Sequence, residues 1–366
     1  MRIAYLGQMA DVSAENGISK KIAAQTGAWR SVGHEVRYFS LTPSTQVWAG
    51  LTGISVELVA RGKLGQRMFR SLQLVDRIRA WKPDVIYFRY AYHSVGFPGL
   101  FREIPTVAEI NSDDRTEYPL TLSPTKLAYH RLTRGRILKT VSAFVAVTHE
   151  LGARFATFGK PTEVIANAIA LDEFTPAPTA PATSAPTRLV FVGTAGTPWH
   201  GLERVAELAQ LFPEIAIDVV GCTMRDWHEV TRSASPPPSQ LNFHGPLPRA
   251  RYEPLLHAAT AALGSMALFK NQMEEACPLK VREYLAFGLP IIAAYRDTDI
   301  PDDAEYFLRL PNDATPLAQH RERIATWLES WRQRRVARAA IAHIGTAAKE
   351  QRRLAFLERI AAASRP

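Results

Sequence analysis

The stretch Thr175 to Thr187, TPAPTAPATSAPT, is built only of Thr, Pro, Ala and Ser. It offers no large side chain to a core and its prolines favour extended backbone, so it reads as an inter-domain linker. On either side the chain starts in the same way. Before it, an apolar strand from Arg2 to Leu6 leads through a loop into a helix from near Gly17 to Val32, then a strand from Val36 to Leu41. After it, a strand from Arg188 to Val192 leads through a glycine-bearing loop into a helix from about Trp199 to Leu211, then a strand from Ile215 to Val220. Further strands are expected at Val85 to Phe88, Thr106 to Ile110, Ala143 to Val147, Val164 to Ile165, Leu241 to Phe243 and Pro290 to Ala294. Short apolar strands alternating with longer amphipathic helices predict an α/β fold with parallel sheets covered on both faces. The expected organisation is a Rossmann-like domain over 1–174, the linker 175–187, a second Rossmann-like domain over 188–345, and a basic C-terminal helix over 346–366 packing back on the first domain. Two such domains flanking a linker are expected to face a central cleft. Ligands of open parallel sheets bind beyond the carboxyl ends of the strands, so the loops after Leu6, Phe88, Ile110, Val192 and Val220 and the segment before Pro290 are where chemistry is expected.

A chain of 366 residues has room for about two domains, and its 46% hydrophobic and 22% charged residues are those of an ordinary globular protein. No apolar run approaches the roughly 20 residues of a membrane span, and the N-terminus lacks the apolar core of a secretion signal. Two cysteines, Cys222 and Cys277, suit a reducing cytoplasm. The net charge of +9 is concentrated: residues 331–366 contribute nine Arg/Lys against Glu350 and Glu358. That tail reads as a basic amphipathic helix, either docked with a solvated face or touching an anionic membrane surface. Smaller clusters at Arg61/Lys63/Arg67/Arg70 and Arg131/Arg134/Arg136/Lys139 add to such a footprint. Nucleic acid is not an expected partner, since neither an RNP pattern, nor zinc spacing, nor a recognition helix is present.

The chemistry concentrates in Glu275-Ala-Cys-Pro-Leu-Lys-Val-Arg-Glu283. Pro278 suits the first turn of a helix, having no N–H to leave unsatisfied. If the spacing were helical throughout, the two carboxylates would be roughly 12 Å apart, too far to act on one bond. That distance suits hydroxyls at the two ends of an elongated ligand, with helix-start N–H groups between them for an anion and Lys280 as an added charge. A nucleotide-sugar, with ribose, diphosphate and hexose, has this layout.

The run Glu275 to Pro290, EACPLKVREYLAFGLP, resembles the E-x7-E signature and A-x-G-x-P turn of the retaining family 4 glycosyltransferases, which have the GT-B fold of two Rossmann domains. Val32-Gly-His-Glu-Val36, the passage from Val164 to Phe174, and Phe191 to Leu202 (FVGTAGTPWHGL) are similar to further segments of that family, in the same order. The resemblance implies a transferase that moves a sugar from a nucleotide-sugar to a hydroxyl acceptor, carbohydrate or lipid-linked, in cell-surface polysaccharide or glycolipid synthesis. It implies no cofactor and no metal, the nucleotide-sugar being a substrate. It gives Glu283 the ribose hydroxyls, and Glu275 with the backbone N–H groups of Cys277 and Leu279 the transferred sugar. Gly193 and Gly17 give the nucleotide close access to the backbone.

Several positions depart from the family pattern. Thr194 and Ala195 stand where an Arg is usual, His200 where a Lys is usual, and Ala166-Asn167-Ala168 replaces a P-N-G turn. Asn111 stands where a His is common; it can bond a sugar hydroxyl but cannot shuttle a proton. Phosphate neutralisation is then expected from Lys280, Arg89 and Lys20 or Lys21. Asp113-Asp114 is a weak suggestion of a metal site. A free Cys277 reads as packing, with no base beside it. These departures leave two other readings open, a non-catalytic nucleotide-sugar-binding subunit and a nucleotide-sugar epimerase of the same fold. The protein is expected in the cytoplasm, peripheral to the inner face of the membrane.

Overall fold

A computed structural model describes residues 1–8, 17–42, 51, 55–60, 66–178, 186–232 and 235–363. The chain divides into two compact units, Met1–Ala168 together with Thr346–Pro366, and Ile169–Gly345. The first unit contains strands β1 (Arg2–Gly7), β2 (Glu35–Thr42), β3 (Ser55–Ala60), β4 (Val85–Arg89), β5 (Thr106–Ile110), β6 (Ala143–Ala146) and β7 (Thr162–Val164). They form one parallel sheet in the order β3-β2-β1-β4-β5-β6-β7. Its helices are α1 (Gly17–Ser31), α2 (Arg67–Trp81), α3 (Phe97–Glu103), α4 (Asp114–Thr121), α5 (Pro124–Leu138) and α6 (His149–Ala156). The second unit contains α7 (Leu202–Leu211), α8 (Met224–Thr231), α9 (Arg249–Ala258), α10 (Leu279–Ala286) and α11 (Arg321–Ser330). Its six-stranded parallel sheet has the order β10-β9-β8-β11-β13-β15, with β8 (Arg188–Val192), β9 (Ala216–Val220), β10 (Leu241–Gly245), β11 (Ala261–Leu263), β13 (Ile291–Ala293) and β15 (Phe307–Arg309). A separate two-stranded ribbon pairs β12 (Glu275–Ala276) with β14 (Arg296–Asp297).

Both large sheets reverse their winding beside the first strand of the unit, between β1 and β4 and between β8 and β11. Such a reversal parts the crossover connections and leaves a crevice at the carboxyl ends of the strands. The central strands are near-continuous apolar runs because helices cover both faces of the sheet. Thus five of the six β1 residues are buried.

The C-terminal helix α12 (Thr346–Ala363) belongs to the first unit. Leu354, Phe356, Leu357 and Ile360 join the core of Ile3, Tyr5, Ile22, Trp29 and Val85. Much of the tail's charge is internal to the fold. Lys349, Glu350 and Arg353 are buried, and the Trp29 indole N–H donates to Glu350 Oε2 at 2.8 Å. On the surface, Arg352 and Arg359 both donate to Glu163.

Local departures from expectation have local causes. The helix expected from Trp199 is a 3-10 turn, Pro198–His200, broken at Gly201 with φ +75° before α7 begins. The second unit begins at Ile169, six residues ahead of the boundary expected at 174, because the Ile169 N–H donates to the Ile344 carbonyl at 3.1 Å. Phe174 likewise packs on Phe287, with ring centroids 5.3 Å apart. The start of the linker is not free of packing either: Ala177 is buried and its N–H donates to the Phe287 carbonyl. The rest of the linker, 179–185, lies outside the described residues, as do Arg61 and Lys63. Losing the glycine of the P-N-G turn is tolerated because Ala168 does not adopt a positive φ. Leu357 is fully buried, so Leu357→Ala should lower stability by about 2–5 kcal/mol in denaturant unfolding, which a helix lying loosely on the surface would not do.

Candidate active site

In the second unit the crevice begins where β8 ends. Val192 is held at both backbone groups: its N–H donates to the Tyr284 hydroxyl at 2.7 Å, and its carbonyl accepts from Lys280 Nζ at 3.1 Å. The next residue must be glycine. A Cβ on Gly193 would lie 2.5 Å from Cys222 Sγ and 2.8 Å from the Phe191 ring. Beyond it the Thr194 N–H donates to His200 Nδ1 at 3.1 Å, folding the loop back on the 3-10 turn. The His200 carbonyl accepts from the Met266 N–H at 3.0 Å, which ties this loop to the one after β11 across the winding reversal.

Around this strand end lie two cation-capable groups with suppressed charge. The Lys280 ammonium lies 4.7 Å from the centre of the buried Phe191 ring. Burial pushes its pKa down to about 7. Burial, and after it the charge of Lys280, hold His200 well below the usual histidine range, so its ring is neutral near pH 7 and Nδ1 is free to accept from Thr194. Lys280 is the second residue of α10, whose first N–H groups precede any intrahelical acceptor. Pro278 is the N-cap of that helix, one position earlier than expected.

The segment before α10 is set by a buried ion pair. Arg282 donates to Asp297 Oδ2 at 3.0 Å and to Oδ1 at 2.6 Å, and both side chains are fully buried. The same guanidinium donates to Cys277 Sγ at 2.8 Å, so the thiol is a packed acceptor. Because Asp297 is in β14 and β14 pairs with β12, this contact positions Glu275. Glu275 therefore sits on a strand, and the helical spacing assumed between the two acids does not hold. Glu283, one helical position after Arg282, is partly exposed. Both its oxygens accept from the Tyr252 hydroxyl at 3.0 Å, and Arg249 Nε lies 3.7 Å from Oε1. Arg249 is itself stacked 4.0 Å over Phe174.

The first unit carries its own buried polar cluster at the ends of β4 and β5. Its centre is Glu109, which sequence reading did not single out because it stands inside the apolar strand TVAEI. Glu109 pairs with Lys21 at 2.8 Å and Arg89 at 3.1 Å, and accepts from the Tyr87 hydroxyl at 2.8 Å. Burial alone would push this carboxyl up, but Lys21, Arg89 and Arg353 outweigh burial and hold it well below the usual carboxylate range. Asn111 is engaged at both ends of its amide: Nδ2 donates to Glu109 at 3.0 Å and Oδ1 accepts from Lys21 at 3.0 Å. Arg89, expected as a phosphate ligand, is thus committed to a buried acid. Lys21, not the half-buried Lys20, is the interior lysine of α1. Gly17 is exposed at the first position of that helix.

Neither Asp113 nor Asp114 is arranged as a metal ligand. Asp114 accepts from Tyr90 and Arg134 and pairs with His130, and Asp113 caps α4 and pairs with Arg154. No group of three His, Cys, Asp or Glu suited to a metal occurs among the described residues.

Two measurements check this geometry. Asp297→Ala leaves Arg282 buried without its partner and should cost about 3–5 kcal/mol, while the double change Arg282→Met with Asp297→Leu should recover most of it. Lys280, neutral in the folded protein above about pH 7 and protonated in the unfolded chain up to its ordinary 10.5, makes stability rise with pH across that window. Lys280→Met should flatten the rise in unfolding measured from pH 7 to 10.

Residues 16–173 match the family model described as Glycosyltransferase Family 4. No curated protein matches the chain in sequence. Among solved structures, that of Anabaena Alr3699/HepE in complex with UDP and glucose is similar with a TM-score of 0.65 and 18% identity, over 98% of this chain and 100% of that one. Sucrose-phosphate synthase from Thermosynechococcus elongatus is similar with a TM-score of 0.64 and 15% identity, over 98% and 96%. The lipopolysaccharide outer core galactosyltransferase WaaB in its apo form is similar with a TM-score of 0.60 and 13% identity, over 96% and 95%. The fold is thus shared over nearly the whole length with two-domain α/β structures of the GT-B type. The family match falls almost wholly within the first unit, and over the rest of the chain the likeness is one of fold.

Proposed function

We propose that the chain is a retaining, metal-independent glycosyltransferase that moves a sugar from a nucleoside-diphosphate sugar to a hydroxyl of a carbohydrate or lipid-linked acceptor, in cell-surface polysaccharide or glycolipid synthesis. The observation that carries this reading is the convergence, in the second unit, of Gly193, His200, Lys280 and the start of α10. A diphosphate there meets the N–H groups of the first helical turn and an ammonium whose proton it would hold in place. The Anabaena structure, which contains UDP and glucose, supports a nucleotide-sugar donor.

Each residue then has a task. Glu283, oriented by the Tyr252 hydroxyl, accepts from the ribose hydroxyls. Glu275 and the N–H groups of Cys277 and Leu279 hold the transferred sugar. Lys280 supplies the charge that Thr194 and Ala195 do not, and His200, neutral, fixes the loop. Leaving-group charge is met by backbone dipoles and Lys280, and the donor's own phosphate oxygen takes the acceptor proton. The first unit takes the acceptor, with Asn111 as a hydroxyl partner beside Glu109 and with Lys20 on α1. The protein works from the cytoplasmic side as a peripheral protein. No helix among the described residues is long and apolar enough to cross a membrane.

The second reading, a nucleotide-sugar-binding subunit without turnover, is favoured by one feature: both ends of the Asn111 amide are already engaged. A mass-spectrometric screen of nucleotide-sugars, followed by assay of nucleoside diphosphate release with candidate acceptors, separates the two. Glu283→Gln should lower release by about 100-fold or more with the fold intact. Tight donor binding without release under any acceptor would favour the subunit. An isomerised nucleotide-sugar formed without acceptor would favour an epimerase. Absence of release together with wild-type behaviour of Glu283→Gln would overturn the proposal.

A further inference from the structure

Beside the crevice of the first unit lies a cavity of about 530 Å³, the size of sites that hold a small organic ligand. Gln8, Tyr92, His93, Lys126 and Tyr129 give it polar edges, and Met68 is among its apolar lining. It is bounded by α2 on one side and α5 on the other. Its polar end is ordered: Gln8 Nε2 donates to the Tyr92 carbonyl at 2.9 Å and to Ser94 Oγ at 3.1 Å, and His93 Nδ1 bonds the Tyr129 hydroxyl at 2.8 Å.

The surface around this cavity is unusual in two independent ways. First, the two helices that bound it expose large apolar side chains, Met68 59%, Phe69 66% and Leu72 on α2 and Tyr129 and Leu132 79% on α5, with Val95 in the loop before α3. Large apolar side chains exposed on both helices flanking one cavity mark a surface suited to an apolar partner. Second, it is one-signed. The fifteen residues of α5 hold no acid, and they carry Lys126, Arg131, Arg134 and Arg136, with Lys139 as the C-cap. Of these only Arg134 is committed inward, to the buried Asp114. On α2 the first acid is Asp76, the tenth residue, after Arg70.

We propose that this α2–α5 face seats on an anionic lipid bilayer, and that the adjoining cavity receives the headgroup of an acceptor anchored in it. Apolar side chains that enter the acyl boundary, ringed by cations that meet lipid phosphates, are the two parts such attachment needs. The acceptor clause rests on the transferase reading; the bilayer contact does not. It also moves the membrane footprint from the C-terminal tail, where Arg352 and Arg359 are paired with Glu163 and Arg353 is buried.

The test is co-sedimentation of the full chain with phosphatidylcholine vesicles, with and without phosphatidylglycerol, at low and high salt. The wild type should bind the anionic vesicles only, less at high salt. Arg131→Glu with Arg136→Glu, and separately Phe69→Ser with Leu132→Ser, should each reduce binding about tenfold or more at unchanged thermal unfolding. Reversing the exposed Arg225 of the second unit should not. The proposal is overturned if the wild type ignores phosphatidylglycerol, if both double variants bind like wild type, or if Arg225→Glu loses as much. A dimer abolished by Leu132→Ser, with no vesicle binding, would give the face to a second copy of the chain and equally overturn it. UDP titration calorimetry on the same samples keeps the two readings apart. Nucleotide binding without vesicle binding removes only the docking surface. Vesicle binding without nucleotide binding removes only the transferase.

Discussion

The second unit's site depends on one buried ion pair, Arg282 with Asp297. Side chains one apart on a helix point about 100° away from each other. Driving Arg282 fully inward therefore turns Glu283 towards the partly open side of α10. The partner of Arg282 is on β14, and β14 is the pairing strand for β12, so the same contact fixes the backbone that carries Glu275. Two acids eight residues apart are thus placed by a third and a basic residue between them. A buried pair of this kind contributes little net stability over an apolar substitute, and its value here is the single arrangement it enforces.

The first unit uses the same device differently. Glu109 is an acid in the middle of an apolar sheet, stable there because Lys21, Arg89 and Tyr87 surround it. The C-terminal helix contributes Arg353 to that environment and Glu350 to Trp29. A segment that is basic by composition is therefore partly a core element. Net charge counted along the chain misjudges it, since a charge neutralised by a buried partner no longer faces solvent. By contrast α5, whose sequence contains no acid at all, keeps Lys126, Arg131 and Arg136 exposed.

The architecture was legible because it depends on period and length. The apolar runs at Arg188 to Val192 and Thr106 to Ile110 are the strands observed, and the repeat of strand, helix and strand on both sides of the linker marks two units of like topology. Elements too short to show a period were not legible: β11, β12, β14 and β15 have two or three residues each. Nor was β3, the sheet's edge strand.

The candidate site divides along the same line. By itself the sequence determined which residue types gather before α10 and that a helix begins at the proline, since local backbone chemistry decides these. Only the tertiary structure decided the state of those groups. Lys280 became a lysine that titrates near 7 because Phe191 and the end of β8 bury its ammonium. Arg89 became the partner of Glu109, and Asn111 a bridge between Glu109 and Lys21. Charge and reactivity depend on what lies within a few ångströms, and several of those neighbours, Phe191 for Lys280 and Lys21 for Asn111, come from positions tens of residues away along the chain.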